Sequence, residues 1–110
     1  MKNYAIKWVT QRLTASLLIP LTFWFIYVSI SFSRMGYLET INFFESYINS
    51  ALFYLMMMTM LLHSKLGLQT IIEDYVTSKK MSKIIKLCIN NFVYLLMFLI
   101  TLTMARLVFI

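Results

Sequence analysis

The residue best suited to chemistry in this sequence is its single histidine, His63. It lies within a long apolar segment, and an ionisable side chain at membrane depth is costly unless it has a function or a partner. A histidine there suits metal ligation or proton transfer. The structural alternative is a neutral imidazole that hydrogen-bonds to a neighbouring helix. Its position favours the functional interpretation and leaves the structural one open.

Helical spacing places further polar or small residues on the face of His63. Gly67, Thr70 and Asp74 follow at steps of four, three and four residues. Eleven residues complete about three helical turns, so Asp74 lies on the same face, about 16 Å along the axis. Gly67 either leaves room for a large flat group such as a porphyrin, or permits close packing of two helices. The spacing does not separate these two roles.

Other polar residues in the apolar segments have more ordinary interpretations. Arg12, at the start of the first segment, either anchors the helix among lipid headgroups or pairs with an anionic group of a cofactor, and its position alone favours the anchor. Lys65 points away from the histidine face, and it needs a snorkelling conformation or a carboxylate from a partner. Asn90 and Asn91 are expected to form hydrogen bonds between helices.

The segments that carry these residues are long enough to cross a membrane. Of the 110 residues, 61% are hydrophobic and 13% are charged, whereas an average soluble domain is about half apolar and about one quarter charged. A bilayer-spanning helix needs about 20 apolar residues, and spans are predicted at residues 13–33, 47–76 and 84–108. We therefore predict an all-α integral membrane protein, a bundle of three transmembrane helices that forms a single membrane-anchor domain over residues 1–110.

The basic residues predict an orientation for this bundle. Seven of the ten cations lie before the first span or between the second and third, namely Lys2, Lys7, Arg12, Lys79, Lys80, Lys83 and Lys86. Because Lys and Arg concentrate on the inner side of membranes, the N-terminus is predicted inside and the C-terminus outside. The cations lie at the ends of apolar segments rather than in a stripe with exposed aromatics, so a nucleic-acid partner is not expected.

The sequence lacks the residues that would make it an enzyme alone. It has no nucleophile–histidine–acid constellation, no phosphate-binding glycine loop and no second histidine. Three helices can hardly enclose a large cofactor. If His63 ligates a metal with a histidine opposite, that second ligand must come from another chain.

Residues 63–67 and 72–76 together resemble a known motif. The block has a histidine, a glycine one turn later, and an Asp-Tyr pair eleven and twelve residues after the histidine. It resembles the hydrophobic membrane anchor subunit of succinate dehydrogenase, which is the D-type subunit of respiratory complex II. Arg12 is similar to the arginine that this family carries at the start of its first span. The span count and orientation also agree, so the resemblance covers essentially the whole chain, although only the block from His63 to Tyr75 is specific.

The resemblance implies a role for each of these residues. His63 would be an axial ligand of heme b, with the other ligand supplied by a companion subunit, and Gly67 would give clearance beside the porphyrin. Tyr75 would hydrogen-bond a carbonyl of ubiquinone. Asp74 would orient a cation of the companion subunit and help to deliver protons to the quinone. Arg12 would lie towards the heme propionates or the quinone.

The resemblance also implies a function and partners. The chain would anchor a succinate–quinone oxidoreductase that belongs to the tricarboxylic acid cycle and the respiratory chain. Its partners would be a flavoprotein subunit, an iron–sulfur subunit, a cytochrome b556-type anchor subunit and the membrane lipid. Its location would be the bacterial inner (plasma) membrane, or else the mitochondrial inner membrane. The rival interpretations are a cofactor-free accessory or assembly subunit, and a transporter subunit in which His63 is a proton relay.

Overall fold

The computed structural model describes residues 4–109, and these residues form helices and short connections without a β-strand. The helices are α1 (Tyr4–Phe32), α2 (Tyr37–Glu45), α3 (Tyr47–Tyr75) and α4 (Lys79–Phe109). The predicted all-α membrane fold is confirmed, because α1, α3 and α4 are each long and apolar enough to span a membrane. The molecule measures 51 × 25 × 24 Å, and its long axis suits a bilayer of about 40–45 Å including headgroups.

Two of the long helices begin before the predicted spans. The first span was predicted from residue 13 and the third from residue 84, whereas α1 begins at Tyr4 and α4 at Lys79. The added turns carry Lys and Arg, which are good helix formers but do not favour the hydrocarbon core. The membrane boundaries within the helices stay a prediction, and Lys2 and both ends of the predicted domain lie outside the described residues.

Helix α3 is the centre of the bundle, because it packs along both α1 and α4. The buried apolar residues are few and are spread over all four helices: Leu21, Val28, Phe44, Met56, Val93 and Met104. Most large apolar side chains on α1 and α4 are exposed, such as Phe23 at 72% and Phe98 at 60%. Such a surface suits contact with lipid or with another membrane subunit.

A short helix, α2, occupies the segment that was predicted as a loop between the first two spans. It begins after Gly36 and ends at Glu45. Its aromatic residues stabilise it: Phe44 is buried and makes edge-to-face contacts with Phe43 and Phe53, at 5.1 Å and 5.2 Å between ring centroids. Tertiary packing therefore supports a nine-residue helix that would be marginal in isolation.

The sharp junction between α2 and α3 is fixed by hydrogen bonds to carbonyl groups at the end of α2. The Ser50 hydroxyl donates to the carbonyl of Phe44 at 2.6 Å, and the Asn49 side-chain amide donates to the carbonyl of Phe43 at 3.2 Å. Ser46 caps α3 by accepting from the backbone amide of Asn49. These contacts satisfy helix-end groups that would otherwise lack partners.

Polar side chains join α3 to α4 along the length of the bundle. The pairs are Glu73 with Lys86, Gln69 with Asn90, Lys65 with Tyr94, and Tyr54 with Thr101. The predicted interhelical role is confirmed for Asn90, which accepts from Gln69. Lys65 has a partner that the sequence did not reveal, since its Nζ donates to the Tyr94 hydroxyl at 2.8 Å and lies 4.6 Å from the ring centroid.

Candidate functional site

A cleft of about 870 Å³ lies between α1 and α3, towards the end at which α3 meets α4. The face of α3 that was predicted to carry His63, Gly67, Thr70 and Asp74 lines this cleft, and polar residues of α1 lie opposite it. The lining residues are Lys7, Trp8, Gln11, Arg12 and Ala15 from α1, and His63, Leu66, Gly67, Gln69, Thr70, Glu73 and Asp74 from α3. The spacing argument therefore grouped the α3 residues correctly, and the fold adds Arg12 to them.

His63 is half-buried in this cleft, and its ring contacts a side chain of α1. Its Nδ1 lies 3.0 Å from Oγ1 of Thr14, a residue that is 6% exposed. The contact agrees with the structural alternative, in which the imidazole hydrogen-bonds to a neighbouring helix. It uses only one of the two ring nitrogens. Within residues 4–109, His63 belongs to no cluster of three or more metal-ligating His, Cys, Asp or Glu side chains.

Gly67 faces a side chain of α1 rather than the backbone of a closely packed helix. A Cβ atom built at this position has one heavy atom within 4 Å outside its own surroundings, namely Nε2 of Gln11 at 3.5 Å. That distance is an ordinary van der Waals contact, and no backbone atom of α1 comes as near. Close approach of two helix backbones is therefore not what this position requires.

The charged groups of the cleft are not paired with one another. Arg12 is exposed, with its guanidinium carbon 5.4 Å from the centroid of the Trp8 ring, a cation–π contact. Among the described residues, the one salt bridge joins Lys86 Nζ to Glu73 Oε2 at 3.1 Å. Neither Arg12 nor Asp74 has an ion-pair partner within residues 4–109.

Tyr75 stands apart from the other predicted site residues. It is the last residue of α3 and is 80% exposed. It does not line the cleft that Arg12, His63 and Asp74 share. Asp74 also lines a second cleft, of about 740 Å³, between the end of α3 and the start of α4. The carboxylate therefore lies between the histidine cleft and the lysine-rich beginning of α4.

Comparison with known proteins assigns this arrangement to a family. Residues 2–103 match the family described as "Succinate dehydrogenase/Fumarate reductase transmembrane subunit". The chain belongs to this family. It is also similar to the succinate dehydrogenase hydrophobic membrane anchor subunit of Rickettsia bellii (strain RML369-C), with 27% identity over 91 residues, which are 83% of this chain and 73% of that protein. No solved structure matches the chain significantly.

Membership of the succinate dehydrogenase/fumarate reductase transmembrane subunit family confirms the resemblance on which the site residues were chosen. The individual roles of His63, Arg12, Asp74 and Tyr75 stay predictions.

The sequence interpretation named Arg12 on the α1 side of the cleft but missed its neighbours Trp8, Gln11 and Thr14. Thr14 contacts His63, Gln11 lies opposite Gly67, and Trp8 lies under Arg12. One signal for them was present, because Lys7, Gln11 and Thr14 follow at steps of four and three residues and so form a polar stripe on one helical face.

Proposed function

We propose that the chain is the membrane-anchor subunit of a succinate–quinone oxidoreductase. In this proposal it contributes an axial ligand to heme b and part of a ubiquinone site, both shared with a companion subunit. Family membership supports the anchor role, and the name of the Rickettsia relative favours succinate dehydrogenase over fumarate reductase. The observation that carries the site is the single cleft in which His63, Gly67, Asp74 and Arg12 are brought together.

The residues of the cleft fit a heme. His63 uses Nδ1 towards Thr14, which leaves Nε2 to bind iron. In this proposal a flat ring system lies beside Gly67, where the nearest atom to an added Cβ is the side-chain Nε2 of Gln11, at 3.5 Å, and not the backbone of α1. Arg12 has no ion-pair partner among the described residues, and its planar guanidinium suits a propionate carboxylate. A bound heme supplies a one-electron redox centre, while this chain holds the imidazole at its position in the membrane.

The proposed heme requires a second subunit. Because the chain has one histidine, a second histidine ligand of the iron would come from the companion, a cytochrome b556-type anchor subunit. The exposed apolar side chains of α1 and α4 offer surface for such a partner. Flavoprotein and iron–sulfur subunits complete the proposed complex, and catalysis belongs to that complex rather than to this chain alone.

The proposed quinone site lies at the end of α3. The Tyr75 hydroxyl donates a hydrogen bond to a ubiquinone carbonyl, and the ring of ubiquinone lies against apolar surface. Asp74 orients a cation of the companion subunit, a role supported by the absence of an ion-pair partner within residues 4–109. The high exposure of Tyr75 is expected for half of a site that another subunit completes.

The proposed orientation puts this site on the inner side of a bacterial inner membrane, with the mitochondrial inner membrane as the alternative. The beginning of α4 carries Lys79, Lys80, Lys83 and Lys86, and such residues favour the inner side. The N-terminus of the chain is then inside and its C-terminus outside. The Tyr75 end therefore faces the compartment in which the soluble succinate-oxidising subunits dock.

Purification of the tagged chain from its native membrane tests the anchor role. We expect a complex that contains flavin, iron–sulfur clusters and a b-type absorption band, and that reduces ubiquinone with succinate. A complex with flavin and iron–sulfur clusters but without heme would support a cofactor-free accessory subunit instead. Isolation with a transport protein, and without flavin, would contradict the anchor role and favour the proton-relay interpretation.

The Tyr75→Phe variant tests the quinone site. It removes one hydrogen-bond donor, which contributes about 1 kcal/mol, so we expect kcat/KM for ubiquinone to fall by about fivefold. Succinate oxidation by an artificial dye should not change, since the soluble subunits are intact. Tyr37→Phe is the matched control, because Tyr37 is equally exposed but begins α2 at the opposite end of α3. Equal loss of quinone and dye activity in Tyr75→Phe would contradict the assignment.

A further inference from the structure

Thr14 makes three close polar contacts through one hydroxyl group. Its Oγ1 lies 2.8 Å from the carbonyl oxygen of Thr10, 3.0 Å from the carbonyl oxygen of Gln11, and 3.0 Å from Nδ1 of His63. Two of these partners belong to its own helix, and the third lies across the interface on α3. Thr14 is buried at 6% exposure, so the protein itself must satisfy the hydroxyl.

Counting protons gives the direction of each hydrogen bond. A hydroxyl has one proton to donate, and backbone carbonyls can only accept. If the hydroxyl donated to His63, its oxygen would face two carbonyl oxygens at 2.8 Å and 3.0 Å with no proton between them. If its one proton is shared between the carbonyls of Thr10 and Gln11, its lone pair accepts from an Nδ1–H group on His63. The second arrangement places a proton in all three contacts, whereas the first leaves two pairs of oxygen atoms in contact without one.

We propose that Thr14 is a positioning residue that holds His63 as the Nδ1–H tautomer and so leaves the lone pair on Nε2. The inference rests on the proposed heme site and assigns the ligand atom within it. Ligating histidines commonly donate their second N–H group to a fixed acceptor, which sets the ring orientation and strengthens the ligand. Here the acceptor is fixed by the backbone of α1, so the ring on α3 is aligned by the neighbouring helix.

The tautomer can be measured without any cofactor. Because His63 is the only histidine, the full chain labelled with ¹⁵N-histidine and reconstituted in bilayers gives one pair of ring-nitrogen signals by solid-state NMR. Under alkaline conditions, in which imidazole is neutral, we expect the proton on Nδ1 in the wild type and in Thr14→Ser. In Thr14→Val, which removes the acceptor, the Nε2–H form should appear. A wild-type proton on Nε2, or an unchanged Nδ1–H signal in Thr14→Val, would overturn the inference.

Thr103→Val is the matched control. Thr103 on α4 also donates to the carbonyl four residues before it, Leu99, at 2.8 Å. The control variant removes the same local hydrogen bond without changing the acceptor of His63. We expect it to retain the wild-type tautomer, and a tautomer change equal to that of Thr14→Val would overturn the specific role of Thr14.

The intact complex provides the second test. In Thr14→Val we expect heme affinity to fall by about 10- to 100-fold and the low-spin ferric EPR signal to shift, with both restored in Thr14→Ser. Unchanged heme affinity and EPR signal in Thr14→Val would overturn the inference. An equal loss of heme affinity in Thr14→Val and Thr14→Ser would also overturn it, because it would show a packing role for Thr14. A wild-type complex without heme would instead contradict the proposed function, and the NMR result would still decide whether Thr14 controls the tautomer.

Discussion

At the scale of single residues, the sequence predicted which side chains share a face of α3, but it did not predict which side chains meet across the cleft. His63, Gly67 and Asp74 line one cleft because helical periodicity is a local property that can be read from the sequence. The polar stripe of α1 includes Thr14, but its contact with His63 depends on the register between α1 and α3, which no local pattern specifies. The same holds for Lys65, whose partner Tyr94 is fixed by the register between α3 and α4.

Substitutions of Gly67 distinguish its two possible roles, which are clearance for a flat group and close packing of two helices. A Cβ at this position meets only Gln11 Nε2, at 3.5 Å, and alanine is favoured over glycine in a helix by about 1 kcal/mol. We therefore expect Gly67→Ala to leave the free energy of unfolding unchanged or to raise it by up to about 1 kcal/mol. The measurement is unfolding by SDS in mixed micelles.

The larger variant Gly67→Leu should fill the space beside His63. We expect it to lower the heme content of the purified complex more than Gly67→Ala does, while the helical circular dichroism of both variants stays that of the wild type. If Gly67→Ala instead destabilises the chain and neither variant changes heme content, the glycine serves helix packing and the clearance role is wrong.

At the scale of elements, the long helices were predictable and the short one was not. Apolar length alone identified α1, α3 and α4, because a membrane span leaves a strong signal in composition. Helix α2 has nine residues, too few to be stable through its own hydrogen bonds. Its stability comes from Phe44 packing against residues of other elements, such as Phe32 and Phe53, and a sequence does not show which aromatic rings will meet.

The packing of α2 predicts a cost for shortening its buried side chain. Phe44→Leu removes the edge-to-face contacts with Phe43 and Phe53, each worth about 0.5–1.5 kcal/mol. We therefore expect the free energy of unfolding in mixed micelles to fall by about 1–3 kcal/mol. Phe23→Leu is the control, because Phe23 is 72% exposed on α1 and should cost much less. Equal effects of the two substitutions would show that the aromatic cluster does not hold α2.

At the scale of the whole molecule, the distribution of charge predicts the orientation. The four lysines between residues 79 and 86 lie at one end of the bundle, the end that also carries Asp74 and Tyr75. In a bacterial host, a green fluorescent protein fused to the C-terminus should not fluoresce, whereas alkaline phosphatase fused there should be active, because the C-terminus is exported. A fluorescent C-terminal fusion with inactive phosphatase would contradict the predicted orientation and would put the proposed quinone site on the other side of the membrane.

We propose that His63 ligates heme iron within an assembled complex, and EPR spectroscopy of the purified complex reports on this ligation. His63→Gln should abolish the low-spin ferric heme signal, either through loss of heme or through conversion to a high-spin form. Lys65→Gln, two residues along the same helix but paired with Tyr94 on α4, should retain the low-spin signal. A complex with His63→Gln that keeps an unchanged low-spin signal, at the same heme-to-flavin ratio as the wild type, would show that His63 is not a ligand of the heme iron.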